Sequence, residues 1–196
     1  AQPMLSKASQ QYDKTGVFVG TSVMHLTQMV MVAIMTMTPI HMMHHGHSLA
    51  SVGVVIGFHF GFMYLPSLVT GMLVDKLGRN VLIVAAAATL SAAGLLAAYA
   101  PTDSLTLLII ALALLGLGWN FGLISGTALI VDHTTIHNRA KVQGSADVFI
   151  AVSGATAGLL SGLMVASTSY AVLSITGCII SLALLPLVAW MKKRSA

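Results

Sequence analysis

Six long apolar stretches, separated by short polar segments, set the pattern of this chain. They cover residues 17–40, 51–74, 81–100, 105–131, 142–166 and 170–191. The breaks run from His41 to Ser48, Asp75 to Asn80, Pro101 to Ser104, Asp132 to Lys141 and Ser167 to Ser169. A bilayer core needs roughly 20 apolar residues per helix, so the pattern predicts six membrane spans. Inside the stretches, glycines recur four apart: Gly53, Gly57 and Gly61; Gly118, Gly122 and Gly126; Gly154, Gly158 and Gly162. That spacing gives a helix a smooth face on which another can lie closely. The expected architecture is therefore an all-α polytopic bundle.

Composition agrees. Hydrophobic residues make up 57% and charged residues 7%, with mean hydropathy +0.91, whereas a soluble domain is about 25% charged. The chain has no Glu, and its acids are Asp13, Asp75, Asp103, Asp132 and Asp147. Lys7 and Lys14 precede span one, Lys76 and Arg79 follow span two, Arg139 and Lys141 follow span four, and Lys192, Lys193 and Arg194 follow span six. All nine basic residues thus fall on one side, which predicts that both termini are cytoplasmic. The net charge of +4 reads as this anchoring and gives no reason to expect a nucleic-acid partner. Residues 1–16 read as a cytoplasmic segment, 17–191 as the membrane domain and 192–196 as a basic tail. The opening residues lack a signal-peptide pattern, and the missing initiator Met suggests a processed or truncated chain. The single cysteine, Cys178, excludes an internal disulfide and reads as inert packing.

Candidate chemistry lies in the first two spans. Met31 and Met35, and His59 and Met63, are each spaced i, i+4, which puts both members of a couple on one helix face. Thioether and imidazole suit Cu(I), a soft cation. From Ile40, Met35 lies ~8 Å and Met31 ~14 Å deep, while from Ser51, His59 lies ~12 Å and Met63 ~18 Å deep. The couples therefore overlap in depth. At ~100° per residue, Met24, Gln28, Met31, Met35 and Thr38 share a stripe, and Ile56, His59, Met63, Pro66 and Thr70 share a face. Methionine is also common core filler, which is the competing reading. His59, ionisable within a span, is equally a candidate proton carrier.

Weaker candidates surround these. His25 and Met29 form another couple, ~120–160° around the helix from Met31. His41, His44, His45 and His47 form an outer cluster that could gather metal loosely or be a solvated turn. Asp147, just inside span five, is a possible proton site or a complement to its own helix end. Asp132 and His133 read as a wet helix end. Met24, Gln28, Trp119 and Asn120 are candidate cavity residues, since an intramembrane Asn needs a partner. Trp190 suits an aromatic belt. No nucleophile–base pair, phosphate loop or nucleotide fingerprint is present, so no enzyme is expected and no obligatory cofactor is implied.

The segment Gly71-Met-Leu-Val-Asp75-Lys76-Leu-Gly78-Arg79-Asn80 resembles the loop Gly-x-x-x-Asp-Lys/Arg-x-Gly-Arg-Lys/Arg of the major facilitator superfamily, departing at Asn80. The resemblance implies a transporter fold of two six-span halves, each a 3+3 inverted repeat. It matches this chain to the C-terminal half. It also implies that Gly71, Asp75, Lys76, Gly78 and Arg79 brace one state of a rocking motion. The Met-x-x-x-Met and His-x-x-x-Met couples resemble those of the CcoA-like branch, bacterial importers of copper. This implies a multi-pass protein of the bacterial inner membrane that moves copper inward through Met31, Met35, His59 and Met63. Riboflavin is another cargo implied within that branch. Three functions stay open: copper uptake by alternating access; proton-coupled transport of a small organic cargo stacked on Trp119, Tyr64, Phe58 and Phe62; or a metal-binding half that does not transport alone. The partners expected are lipid, a copper ion or small organic molecule, and a second copy or a separate N-terminal half.

Overall fold

Each apolar stretch forms helix, because in lipid the backbone must satisfy its own hydrogen bonds. A computed structural model describes residues 12–195. The helices are α1 (Lys14–His44), α2 (Leu49–Tyr64), α3 (Ser67–Leu77), α4 (Arg79–Tyr99), α5 (Leu105–Asp132), α6 (Arg139–Ser167), α7 (Tyr170–Leu182) and α8 (Leu184–Ser195). Helices α1, α4, α5 and α6, and α7 with α8 taken together, are each long and apolar enough to cross a membrane. The sixth span is α2 and α3, a pair bent by 41°. The all-α, six-span reading stands.

Four boundaries differ from expectation. The second span is broken at Leu65–Pro66, because Pro66 has no N–H to continue the helix and its ring crowds the preceding turn. Helix α1 runs on through His44, so His41, Met42, Met43 and His44 belong to its last turns and not to a loop. At the other end, Asp13 Oδ1 accepts from Thr15 N at 2.9 Å and starts the helix at Lys14. Lys192, Lys193 and Arg194 lie in the last turn of α8 and so continue its helix. Residues 1–11 and Ala196 of the expected terminal segments lie outside the described residues.

Helix α5 sits at the centre, packed against α1, α2 and α4, while α7 fills the space between α1 and α4 and α6 rests on α1. The glycine ridge of α5 works as expected. A β-carbon on Gly118 would meet Leu90 at 2.7 Å, one on Gly122 would overlap Thr27, and one on Gly126 would overlap Met24. Gly154 of α6 is likewise tight, with Gln28 at 3.0 Å from its β position. The ridge of α2 is a correction. Nothing lies within 4 Å of the β positions of Gly53 and Gly57, and Gly61 meets only Leu65, one turn further along the same span. No described helix approaches that face closely.

Candidate functional site

The site is built where α2 presses on α5. A β-carbon on Gly116 would overlap the His59 carbonyl and come within 3.1 Å of Met63 N; the missing side chain lets the two backbones touch. His59 is fully buried. Its Nδ1 lies 2.8 Å from the Leu112 carbonyl, which can only accept, so Nδ1 carries the ring proton. In the neutral ring Nε2 is then a bare lone pair, and it has no hydrogen-bond partner. Leaving a buried acceptor unpaired costs roughly 1–3 kcal/mol. A fixed tautomer with the second nitrogen free is also how a ligating imidazole is held.

The methionines can be placed using α5 as a ruler. Met24 packs at Gly126 and Thr27 at Gly122, so α1 runs antiparallel to α5. One turn further, about 5.4 Å, brings Met31 to the level of Gly118, and Met35 lies a turn beyond. Met31 and Met35 therefore bracket the depth of Gly116, where His59 and Met63 dock. Met31 and Met63 are buried in the same apolar cluster, and half-buried Met35 packs against it. The depth overlap expected from sequence holds.

Below this level α1 carries a polar seam. Trp119 Nε1 donates to Gln28 Oε1 at 2.7 Å, and the Tyr64 ring meets Trp119 edge-on with centroids 5.9 Å apart. Phe58 and Phe62 are exposed. His25 Nδ1 bonds Ser153 Oγ, while that hydroxyl donates to the Phe149 carbonyl at 2.5 Å. The single hydroxyl proton is thus committed, so His25 is the donor to Ser153. His25 also borders a cavity of about 310 Å3 with Phe18, Thr21, Ser22 and Phe149. Met29 lines a different, apolar cleft between α6 and α7, so the His25–Met29 couple does not share one cavity.

Other expectations are corrected. Asn120 does not line a cavity: it is buried, donating to Met63 O at 2.8 Å and to Ser67 Oγ at 2.9 Å, and accepting from Thr70 Oγ1 at 2.6 Å. The outer histidines draw together without closing a metal site: the His41 and His45 rings lie 4.4 Å apart and, with His44, border one open cavity of about 330 Å3. His47 Nε2 donates to Thr102 O at 2.7 Å, His45 Nδ1 donates to His41 O at 2.8 Å, and the His41 ring stacks on Tyr170 with centroids 4.3 Å apart. His44 is exposed on the last turn of α1. Among the described residues no three His, Cys, Asp or Glu side chains are grouped to hold a metal ion. Asp147 lies two turns inside α6, beyond the reach of its helix end. It is exposed and accepts from Gln143 Nε2 at 2.9 Å.

The α3–α4 junction is a single residue, Gly78, at φ 90°. Asp75 and Lys76 end α3 and Arg79 opens α4. Arg79 Nε lies 2.7 Å from Asp132 Oδ2, Nη2 donates to Asp132 Oδ1 at 3.2 Å, and Nη1 lies 3.6 Å from Asp75 Oδ1. The guanidinium therefore ties the end of α5 to the junction. Lys76 is exposed, and Gly71 has nothing within 4 Å of its β position, so packing does not demand glycine there.

A family model for the Major Facilitator Superfamily matches residues 17–196. The chain belongs to the major facilitator superfamily. It is a multi-pass membrane protein of a transporter family, not an enzyme. Among curated superfamily members, YdeG of Bacillus subtilis strain 168, an MFS-type transporter, is 60% identical over 190 residues, 97% of this chain and 44% of its own length. YddS of the same strain, also an MFS-type transporter, is 59% identical over 182 residues, 93% and 42%. The riboflavin transporter RfnT of Brucella anthropi is 33% identical over 174 residues, 85% and 42%. The chain thus spans less than half the length of these relatives. Sequence reasoning found the superfamily loop but missed the Leu112 carbonyl, Gly116 and the Arg79–Asp132 pair. A backbone acceptor leaves no sequence signal. Gly116 stands just outside the ridge spacing that drew attention to Gly118.

Proposed function

We propose that this chain is the C-terminal half of a secondary transporter and that its cargo is copper as Cu(I), taken up by alternating access. His59 Nε2 would be the fixed donor, with Met63 one turn below it and Met31 and Met35 offering thioethers at the same depth. The observation that carries this reading is the buried, unpartnered Nε2 of His59, held in its tautomer by Leu112. All four donors are neutral, so bound Cu(I) keeps its charge in an apolar setting. That suits a site that must release as well as capture. Inward direction and cytoplasmic termini follow from the family resemblance and the charge pattern.

A second reading has its own support. The relative RfnT is a riboflavin transporter, and the Trp119–Gln28–Tyr64 group offers stacking and one amide to a planar organic cargo. Equilibrium binding separates the two. Purified chain is titrated with Cu(I) against a competing chelator, and separately with riboflavin followed by fluorescence. Copper binding that His59→Ala weakens at least tenfold, with Trp119→Leu near parental, supports the first reading. Riboflavin binding that Trp119→Leu abolishes and His59→Ala spares, without copper binding, overturns it in favour of the second.

A further inference from the structure

The break between α2 and α3 is closed by one side chain from another helix. Asn120, 1% exposed, lies on α5 opposite the break. Its Nδ2 donates to the Met63 carbonyl on the last turn of α2 and to Ser67 Oγ on the first turn of α3, and its Oδ1 accepts from Thr70 Oγ1. The last carbonyls of a helix have no partner within it, and Pro66 removes a further N–H from the join. Backbone hydrogen bonds stop on either side of the join, Leu65 N donating to Gly61 O at 2.9 Å and Thr70 N to Pro66 O at 2.8 Å, so among the described residues none of them locks the 41° bend. Above the break, α2 is fixed to α5 by the His59–Leu112 bond and the Gly116 contact. Below it, α3 is largely exposed, with Thr70 and Val74 as its buried residues.

We propose that Asn120 is a latch across a hinge at Leu65–Pro66, and that releasing it lets α3 swing as a unit while α2 stays seated on α5. All three hydrogen-bonding groups of the carboxamide are committed, two of them to α3, so the latch is either made or broken. Helix α3 ends one residue before Gly78, and Arg79 follows directly. Arg79 opens α4 and is held both by α3, through Val74 O and Asp75 Oδ1, and by Asp132 of α5, so a swing of α3 breaks its contacts on the α3 side and loosens the ion pair that ties α5 to this junction. The same amide holds the Met63 carbonyl, so hinge position and the register of that candidate donor are linked. The inference does not depend on which cargo is carried.

The test is a pair of spin labels at Phe58 on α2 and Met72 on α3, both exposed, in a Cys178→Ser background in lipid nanodiscs. Labels at Phe58 and Leu95 on α4 report on the bundle itself. The parent should give one narrow Phe58–Met72 distance distribution. Asn120→Leu should broaden and shift it and leave Phe58–Leu95 unchanged. The double variant Ser67→Ala/Thr70→Val, which keeps the bond to Met63, should do the same, and it decides the matter if Asn120→Leu fails to fold. An unchanged Phe58–Met72 distribution in either folded variant overturns the latch. So does equal broadening of both pairs, because that is general loosening and not a hinge.

Discussion

A glycine decides where His59 can sit. At Gly116 the β-carbon of an alanine would run into the His59 carbonyl and Met63 N. These are backbone atoms, which cannot turn away as a side chain tip could. Gly116→Ala should therefore push α2 off α5 and strain the bond from His59 to Leu112. Overpacking of this kind costs roughly 1–3 kcal/mol, read as a lower thermal midpoint in detergent together with weaker Cu(I) binding. Gly53→Ala is the control: its β position is open, so its midpoint should match or slightly exceed the parent. The couples themselves were legible at this scale, because i, i+4 spacing fixes a face without any knowledge of neighbours. What the face meets was not. Asn120 looked like a cavity residue, since an intramembrane amide must have a partner and the sequence does not say which.

Among elements, the junction at Gly78 and the break at Pro66 do different work. Gly78 sits at φ 90°, a region that side-chain-bearing residues occupy at a cost of roughly 1–3 kcal/mol. Gly78→Ala should lower the thermal midpoint although nothing crowds its β position, because the strain is in the backbone. An unchanged midpoint would show that the junction relaxes elsewhere. The Arg79–Asp132 pair that follows is partly exposed, so its own contribution is small, below ~1 kcal/mol; it directs the ends of α4 and α5 more than it stabilises them. The six spans were readable from hydropathy alone, since length and apolarity suffice. The break in the second was hidden because α2 and α3 together are apolar throughout, and a proline within an apolar run is equally compatible with a continued helix. Indeed, α1 passes through Pro39 unbroken.

At the scale of the molecule, the two outer helices show where the bundle is open. Among the described residues nothing lies within 4 Å of the β positions of Gly53 and Gly57 on α2, and α6 exposes Val148, Phe149, Val152, Leu159 and Leu163. The regular glycine spacing on α2 predicted close packing, and spacing alone cannot say whether the partner is another described helix. The superfamily relatives are more than twice as long as this chain's match to them. The central claim rests inside, on the donors around Gly116. X-ray absorption of the purified chain loaded with one equivalent of Cu(I) tests it most directly. The prediction is a mixed shell of thioether sulfur and one imidazole nitrogen, with the nitrogen lost in His59→Ala and the sulfur lost in the Met31, Met35, Met63 triple alanine variant. A shell of nitrogen and oxygen alone, or one that these substitutions leave unchanged, would contradict it.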